Sequence, residues 1–285
     1  MKIVSTSFKF SFIIIILFNF NIFSQNLANL LSKGDSLAFI NFNYEKALDL
    51  YNEANKKSPD NPQILNRISR TLVKLGETLP NRIQDIQKDL HFGEGVKKEK
   101  TLNKDEIASA QIEKYQKAFE IADKSVKLNP KSSEAYLRRA VANAQIALTK
   151  GIFSVASIVN QVKKDLEMAI KLDNGGNDIQ AYAHYVLARV HDKVSNKWKP
   201  ARSIIGLGWA DKDTALKEYK IAIKLKPNVR RFYLDYAKAL LEEDEDSIAV
   251  KILSKVEKCP VREPEDNERL IEDKKLEHFD QKENR

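Results

Sequence analysis

Residues 214–241 read TALKEYKIAIKLKPNVRRFYLDYAKALL, and this stretch decides the fold. Ala215 and Tyr219 are four residues apart, so they lie on one face of a helix. Pro227 lacks the N–H that a continuing helix needs, and the helix is therefore expected to end before it. Asn228 then stands where it would cap a second helix. The stretch predicts two antiparallel helices joined by a short turn.

The order of residue types in this hairpin recurs along the chain. An alanine, an aromatic residue, a second small residue and a proline follow one another, and small residues at such positions let helix axes approach closely. The strong copies are Ala215, Tyr219, Ala222, Pro227; Ala47, Tyr51, Ala54, Pro59; and Ala118, Ala122, Ser125, Pro130; looser copies run through Leu166, Ala169, Asn174 and through Ala249, Leu253, Val256, Pro260. The series resembles that of the tetratricopeptide repeat (TPR). This resemblance implies an all-α fold: a right-handed superhelical solenoid of about five TPR-like hairpins over residues 27–260.

The copies are unevenly spaced, and only the last two are close to the usual period of about 34 residues. Long insertions must therefore interrupt the repeats. Residues 77–106 are predicted to form one short amphipathic helix followed by a loop. A second insertion, 191–212, holds both tryptophans. The charged residues 261–285 are predicted to form a helix that caps the last repeat, because an open solenoid end needs a polar cover.

The N-terminus has the pattern of an export signal. Two lysines precede an apolar stretch, 10–23, which is shorter than the roughly 20 residues needed to span a bilayer. The ending NIFSQ resembles export signals of many Bacteroidota proteins, which are cleaved before the glutamine. Residues 1–24 are therefore predicted to be a signal peptide cleaved near Ser24 and Gln25, leaving an exported chain, periplasmic or secreted, without a membrane span. An uncleaved membrane anchor is the alternative.

Composition excludes several other classes of protein. The chain has 285 residues, of which 42% are hydrophobic and 31% charged, as in folded globular or repeat proteins. The formal net charge of +8 comes from intermixed acidic and basic residues, so no nucleic-acid partner is expected. The single cysteine, Cys259, cannot form an internal disulfide, so packing must supply the stability.

Residues 110–275 carry a narrower resemblance. The runs SSEAYLRRAVANAQIAL, KWKPAR, GLGWADKDTALKEYKIAIKLKPN and CPVREPED are similar to bacterial relatives of the regulator of microtubule dynamics family. That family has a TPR domain with a tryptophan- and arginine-bearing insertion before its penultimate repeat. An exported bacterial chain would not meet tubulin, so the resemblance implies a fold and not a function.

No pattern in the sequence indicates catalysis, a cofactor or a metal. Gly-x-Ser-x-Gly, His-Glu-x-x-His and phosphate-loop sequences are absent. His184 and His191 share a helix face, but seven residues rise about 10.5 Å along a helix. Two zinc ligands each lie about 2 Å from the ion, so these histidines are interpreted as packing or surface residues. The sequence therefore predicts a protein that is not an enzyme.

The concave side of a helical solenoid is the expected binding surface, because first helices line it. Asn66 and Arg70 resemble the lysine and asparagine pair with which some TPR domains clamp a C-terminal carboxylate, but they do not reproduce it. Candidate partner-binding residues are Asn66, Arg70, Arg138, Arg231, Asp235 and Lys238. The alternative for each is an ordinary solvated helix face.

The second insertion offers a different candidate site. Trp198, Arg202 and Trp209 could form a basic, aromatic ligand platform. In the alternative interpretation, which we favour, the two tryptophans fill the space beneath a long loop.

Three functional hypotheses remain at this point. The leading one is a non-enzymatic interaction scaffold of the bacterial cell envelope, which binds a peptide or partner protein in the TPR groove. The second is an accessory ligand-binding subunit with a small-molecule pocket under the tryptophan-containing insertion. The third is a cytoskeleton-associated adaptor, as in the microtubule-dynamics regulator family. A deep apolar cavity beside the tryptophans would favour the second hypothesis, and a filled core there would favour the first.

Overall fold

The computed structural model describes residues 25–91, 103–271 and 276, without the side chains of 81–91. The predicted signal peptide and residues 92–102 lie outside these ranges. The regular structure of the described residues is helical throughout. The helices are α1 (25–39), α2 (Tyr44–Lys57), α3 (Pro62–His91), α4 (Lys104–Leu128), α5 (Ser133–Lys150), α6 (Ala156–Leu172), α7 (Gly176–Ser195), α8 (Lys199–Ile204), α9 (Lys212–Leu225), α10 (Arg230–Leu241), α11 (Asp246–Leu253) and α12 (266–271), and a 3-10 turn (Ile152–Val155) precedes α6.

Five helical hairpins stack along the chain. They pair α1 with α2, α3 with α4, α5 with α6, α7 with α9, and α10 with α11, while α8 lies inside the second insertion. The first helices of successive hairpins also touch: α3 contacts α5, α5 contacts α7, and α7 contacts α10. First helices therefore line one shared face, and the predicted all-α solenoid of about five hairpins is confirmed.

The turns between hairpins lie where the prolines predict them. Helix α2 ends two residues before Pro59, α4 two before Pro130, and α9 two before Pro227. At the start of α3, the Asn61 side chain accepts a hydrogen bond from the Gln63 N–H at 3.0 Å, as a capping asparagine should. The predicted cap at Asn228 is wrong: α10 begins after Val229 and has no side-chain cap.

The recurring small and aromatic residues form the core. The series Ala215, Tyr219, Ala222 is fully buried, and so is Ala47, Tyr51, Ala54. Burying these residues removes apolar surface from water, which is the main favourable contribution to folding. The sequence series is therefore a packing pattern, repeated because each hairpin must bury one face against the next.

The first insertion differs from its prediction. In the part of it that the structure describes, residues 77–91 and 103–106, no separate short helix is present, because α3 continues through Pro80 to His91. A proline inside a helix removes the hydrogen bond to the carbonyl four residues earlier, here that of Gly76. Gln111 of α4 replaces it, with Nε2 donating to the Gly76 carbonyl at 2.9 Å. A side chain on the neighbouring helix thus satisfies the carbonyl and lets α3 continue.

Gly76 also sets how closely α3 and α4 pack. A Cβ atom at this position would lie 2.4 Å from Cε1 of the buried Tyr115 ring. We expect Gly76→Ala to lower the free energy of unfolding by about 2 kcal/mol, although alanine is otherwise the better helix former. Urea denaturation followed by circular dichroism measures the change. In a Tyr115→Leu background the added methyl group should cost much less, and an equal cost there would contradict the proposed clash.

The chain after Cys259 turns into the concave side. Glu263 lies against Lys74 of α3, although the two residues are 189 positions apart in the sequence. The helix that follows, α12, leads to Leu276, which packs against the core of the last two hairpins. The first residues of the tail therefore cross the groove, and Leu276 contacts the last repeats. Residues 272–275 and 277–285 of the predicted cap lie outside the described ranges.

Candidate ligand groove and the tail segment within it

The first helices enclose a groove with two connected cavities. One has a volume of about 440 Å³ and is lined by α1, α3, α7 and the tail; the other is about 120 Å³ and lies between α3, α5 and α7. Both are lined by Arg70, Lys74, Asp178, Tyr182, Lys226 and Glu263. The larger cavity has a mostly polar lining and the smaller one a mostly apolar lining, and the larger one is open enough to admit side chains of another molecule.

Glu263 is the centre of an ion-pair cluster in this groove. Its carboxylate accepts from Lys74 Nζ at 2.9 Å and from Arg269 Nη1 at 2.8 Å. Arg231 Nη2 of α10 lies 3.1 Å away. Burial alone would raise the pKa of Glu263, but Arg231, Lys74 and Arg269 together hold it well below its usual value. The carboxylate is therefore charged at neutral pH, and three cations surround it.

Arg230 fixes the backbone of the tail. Its buried guanidinium donates to the carbonyls of Val256 at 3.2 Å, Cys259 at 2.7 Å and Asp266 at 2.8 Å. Asp266 in turn accepts from the Glu263 N–H at 3.1 Å. A single arginine, whose planar fork carries five N–H donors, thus sets the direction in which the chain enters the groove.

The groove has more positive than negative side chains. Seven basic and three acidic residues line the two cavities. Among them Arg70 has no ion pair with any described residue, and its guanidinium lies 4.1 Å over the Phe39 ring. Burial, together with the charge of Arg138, lowers the pKa of Arg70. Arg70 is therefore a cation in the groove that has no carboxylate partner among the described residues.

The structure brings three of the six predicted groove residues together. Arg70, Arg138 and Arg231 line the smaller cavity. Asn66 is only 3% exposed and accepts a hydrogen bond from Ser125 Oγ at 2.8 Å, so it lies between α3 and α4 and outside the groove.

The other two predicted residues lie on α10. Asp235 accepts a hydrogen bond from Tyr185 Oη at 2.6 Å and lies 3.3 Å from Arg189 Nε. Lys238 is half-buried one turn further along the helix. Lys74 and Glu263 could not be recognised from the sequence, because a lysine in a helix and a glutamate in a charged tail both resemble ordinary surface residues.

The second insertion is packed rather than hollow. Arg202 is buried and donates to the Ala210 carbonyl at 2.6 Å, which fastens the loop to itself. Trp209 Nε1 donates to Asn160 Oδ1 at 2.7 Å, and its ring meets His191 edge-on with centroids 5.0 Å apart. Trp209 therefore fills space beneath the loop, as the favoured interpretation predicts. Trp198 does not, because it is 74% exposed.

A small apolar cavity lies near the insertion but does not reach its tryptophans. Its volume is about 50 Å³, and Ala147, Val159 and Val194 are part of its lining. These three residues also belong to the core on which the insertion packs. The cavity is smaller than the roughly 300 Å³ at which ligand pockets begin.

The two tryptophans should respond differently to truncation. Trp209→Ala is expected to lower the free energy of unfolding by about 3 kcal/mol, because a packed ring and a hydrogen bond are lost. Trp198→Ala should change it by no more than about 0.5 kcal/mol, as for an exposed residue. Urea denaturation of both variants measures the difference. Equal losses would contradict the placement of the two rings.

The histidines of α7 do not act together. His184 Nδ1 pairs with Glu218, whereas His191 accepts the Asp211 N–H at 3.2 Å. Within the described ranges no group of three or more His, Cys, Asp or Glu side chains is arranged to hold a metal ion.

The ion pairs of the groove predict a loss of stability in acid. The pKa of Glu263 is lower in the folded state, so its contribution is complete above the unfolded value of about 4.3 and is lost as the pH falls through the folded value. Chemical denaturation at a series of pH values from 7 down to about 2 should show a drop below pH 4 that is smaller for Glu263→Gln. Glu268→Gln, which changes an exposed residue of the same segment, should keep the full drop; a full drop in both variants would contradict the prediction.

Stacked hairpins, the recurring small and aromatic series and the concave groove define a TPR protein. The family model described as regulator of microtubule dynamics protein 1-3 matches residues 99–279. The chain therefore belongs to this family. No curated protein matches it significantly.

Solved structures share the fold at low sequence identity. TTC0263, a thermophilic TPR protein of Thermus thermophilus, aligns with a TM-score of 0.55 and 16% identity over 88% of this chain and 98% of that one. MamA from Desulfovibrio magneticus RS-1 aligns with a TM-score of 0.45 and 15% identity, covering 82% and 94% of the two chains. The TPR2AB domain of yeast Sti1, in its pHSP90 complex, aligns with a TM-score of 0.36 and 16% identity, covering 90% and 99%. None of the described helices is both long and apolar enough to cross a membrane.

Proposed function

We propose that the chain is a non-enzymatic interaction module of the bacterial cell envelope, which holds a peptide or a segment of a partner protein in its concave groove. The observation that carries the proposal is the groove itself, where first helices of successive hairpins present an excess of cations to two cavities of about 440 and 120 Å³. Solenoids use such concave surfaces for binding. Location in the envelope rests on the export pattern of residues 1–24.

A small-molecule site under the second insertion is the weaker candidate. Arg202 and Trp209 fill that space with buried hydrogen bonds, and Trp198 faces outward. A filled core there is the outcome that favours the interaction module. No contact among the described residues favours a cytoskeletal adaptor over another protein partner.

Affinity capture from envelope extracts tests the proposal. The bait is the purified chain, compared with an Arg70→Glu/Arg138→Glu variant that reverses two charges of the groove. We expect at least one partner to be lost with the variant, because its contact lies on these first helices. Mass spectrometry with isotope-labelled baits measures the enrichment.

A matched control separates the groove from general charge. Lys217 and Lys220 are exposed on α9, a second helix outside the groove, and Lys217→Glu/Lys220→Glu changes the charge by the same amount. Circular dichroism establishes that both variants fold. If the two variants lose the same partners, or neither loses any, the groove is not the binding surface.

A further inference from the structure

The Glu263 cluster is a carboxylate site that the chain itself occupies. Two of its three cations, Lys74 and Arg231, belong to first helices of different hairpins, α3 and α10. Only the third, Arg269, belongs to the tail. If Glu263 left the groove, Lys74 and Arg231 would remain on the solenoid and face the cavity, with Lys74 still paired to Glu77 of its own helix at 2.7 Å.

The groove continues beyond this carboxylate with more positive charge. Arg70 is one turn before Lys74 on α3 and has no acidic partner among the described residues. Arg138 lines the smaller cavity, and its ion pair among the described residues is with Glu134 on its own helix, at 2.7 Å. Arg70 and Arg138 are both half-buried, and a half-buried cation gains more from an added carboxylate than one on an open surface.

Few polar contacts attach the tail segment, residues 260–266, to α3. Among the described residues, the only hydrogen bond or ion pair between residues 260–266 and α3 is that of Glu263 with Lys74. Pro260, Val261 and Arg262 are exposed and have no helical structure. Arg230 of α10 holds the chain on both sides of Glu263, through the carbonyls of Cys259 and Asp266. The residues between these two points can therefore leave the groove without unfolding the hairpins.

We propose that the ligand of the groove is an acidic peptide segment of a partner protein, and that residues 260–266 occupy its site until the ligand displaces Glu263. The inference rests on the proposed function and adds the chemistry of the ligand: a side-chain carboxylate for Lys74 and Arg231, with further acidic groups near Arg70 and Arg138. A tethered segment competes at an effective concentration on the order of millimolar. Removing the Glu263 carboxylate weakens this competition, so a free peptide should then bind more tightly to the groove.

Fluorescence anisotropy with a labelled peptide tests this exchange. The probe copies residues 260–271, PVREPEDNERLI, and is titrated with the purified chain and with its Glu263→Gln variant. We expect the variant to bind the probe at least about tenfold more tightly than the wild type, because its own tail competes less. A probe with glutamine in place of its first glutamate should lose most of this binding.

Two controls make the result specific. Glu268→Gln removes the same charge from the same segment at an exposed position and should bind the probe as weakly as the wild type. In the Glu263→Gln background, Lys74→Glu reverses one of the two solenoid cations that hold the carboxylate and should abolish binding. Equal affinity of the wild type and Glu263→Gln, or an equal gain in Glu268→Gln, would overturn the proposal.

A second measurement uses the wild-type chain and does not depend on how a variant folds. Hydrogen exchange of the backbone amides of 260–266 should accelerate when excess probe is added, because the segment is displaced. Unchanged exchange at saturating probe would overturn the displacement. If the probe fails but envelope capture still finds a groove-dependent partner, only the acidic ligand is wrong; if capture shows no dependence on the groove, the proposed function itself fails.

Discussion

Replacing Arg230 by methionine is expected to lower the free energy of unfolding by about 4 kcal/mol. The guanidinium is buried and donates to three carbonyls, those of Val256, Cys259 and Asp266. Each hydrogen bond to a charged group contributes about 1.5–3 kcal/mol, and a buried acceptor without its donor loses hydration as well. Some of the loss is recovered because the freed tail carbonyls can reach water. Urea denaturation measures the change, and limited proteolysis should show earlier cleavage after Cys259.

Two variants serve as controls for this prediction. Arg230→Lys keeps the charge but lacks the planar fork, so it should retain only part of the stability. Arg262→Met removes a neighbouring exposed arginine whose Nε donates to the Asn228 carbonyl at 2.7 Å, and it should cost less than about 1 kcal/mol. If Arg230→Met is no worse than Arg262→Met, the tail is not anchored by Arg230.

Asp165→Ala is the second large expected effect, at about 4 kcal/mol. Arg139 of α5 makes a bidentate pair with Asp165 of α6, with Nε and Nη2 at 2.9 and 2.8 Å from the carboxylate oxygens. Gln161 donates to the same carboxylate at 2.9 Å, and Asp165 is only 2% exposed. Without Asp165, the Nε–H and one Nη2–H of Arg139 lose their acceptors, although Asp123 still balances the charge. Breaking a buried pair from one side costs about 3–5 kcal/mol.

Asp123 provides the matched control. It also pairs with Arg139, at 2.7 Å, but from the more exposed side of the guanidinium. Asp123→Ala should cost about 1 kcal/mol or less, as exposed ion pairs do. Thermal and urea denaturation of both variants decide the question. Equal costs would mean that burial of Asp165 contributes nothing to the strength of its pair.

The hairpins could be predicted from sequence because their signals are local. Pro59, Pro130 and Pro227 each end a helix through a missing N–H and a steric clash that need no tertiary contact. The small and aromatic series marks buried positions for a similar reason, since the spacing of residues on one helix fixes its face. These two signals were enough to give the class of fold and the order of the hairpins.

The sequence-based predictions fail where a contact with a residue far away in the sequence determines the structure. Pro80 does not end α3, because Gln111 on another helix satisfies the carbonyl that the proline leaves free. Glu263 reaches Lys74 across most of the chain, and no spacing rule links them. Trp198 is exposed although tryptophan is usually buried. The candidate site was therefore half predictable: the cations on first helices followed from the fold, but their occupant did not.

The contact between Glu263 and Lys74 changes how the array should unfold. In an open solenoid each repeat touches only its neighbours, so the ends fray independently and stability is close to a sum over repeats. The ion pair of Glu263 with Lys74 joins the tail, which follows the fifth hairpin, to the second hairpin. Hairpins two to five are therefore linked at both ends, and the unfolding of one half of the array is coupled to that of the other. Breaking that link should convert a single sharp transition into a broader, stepwise one.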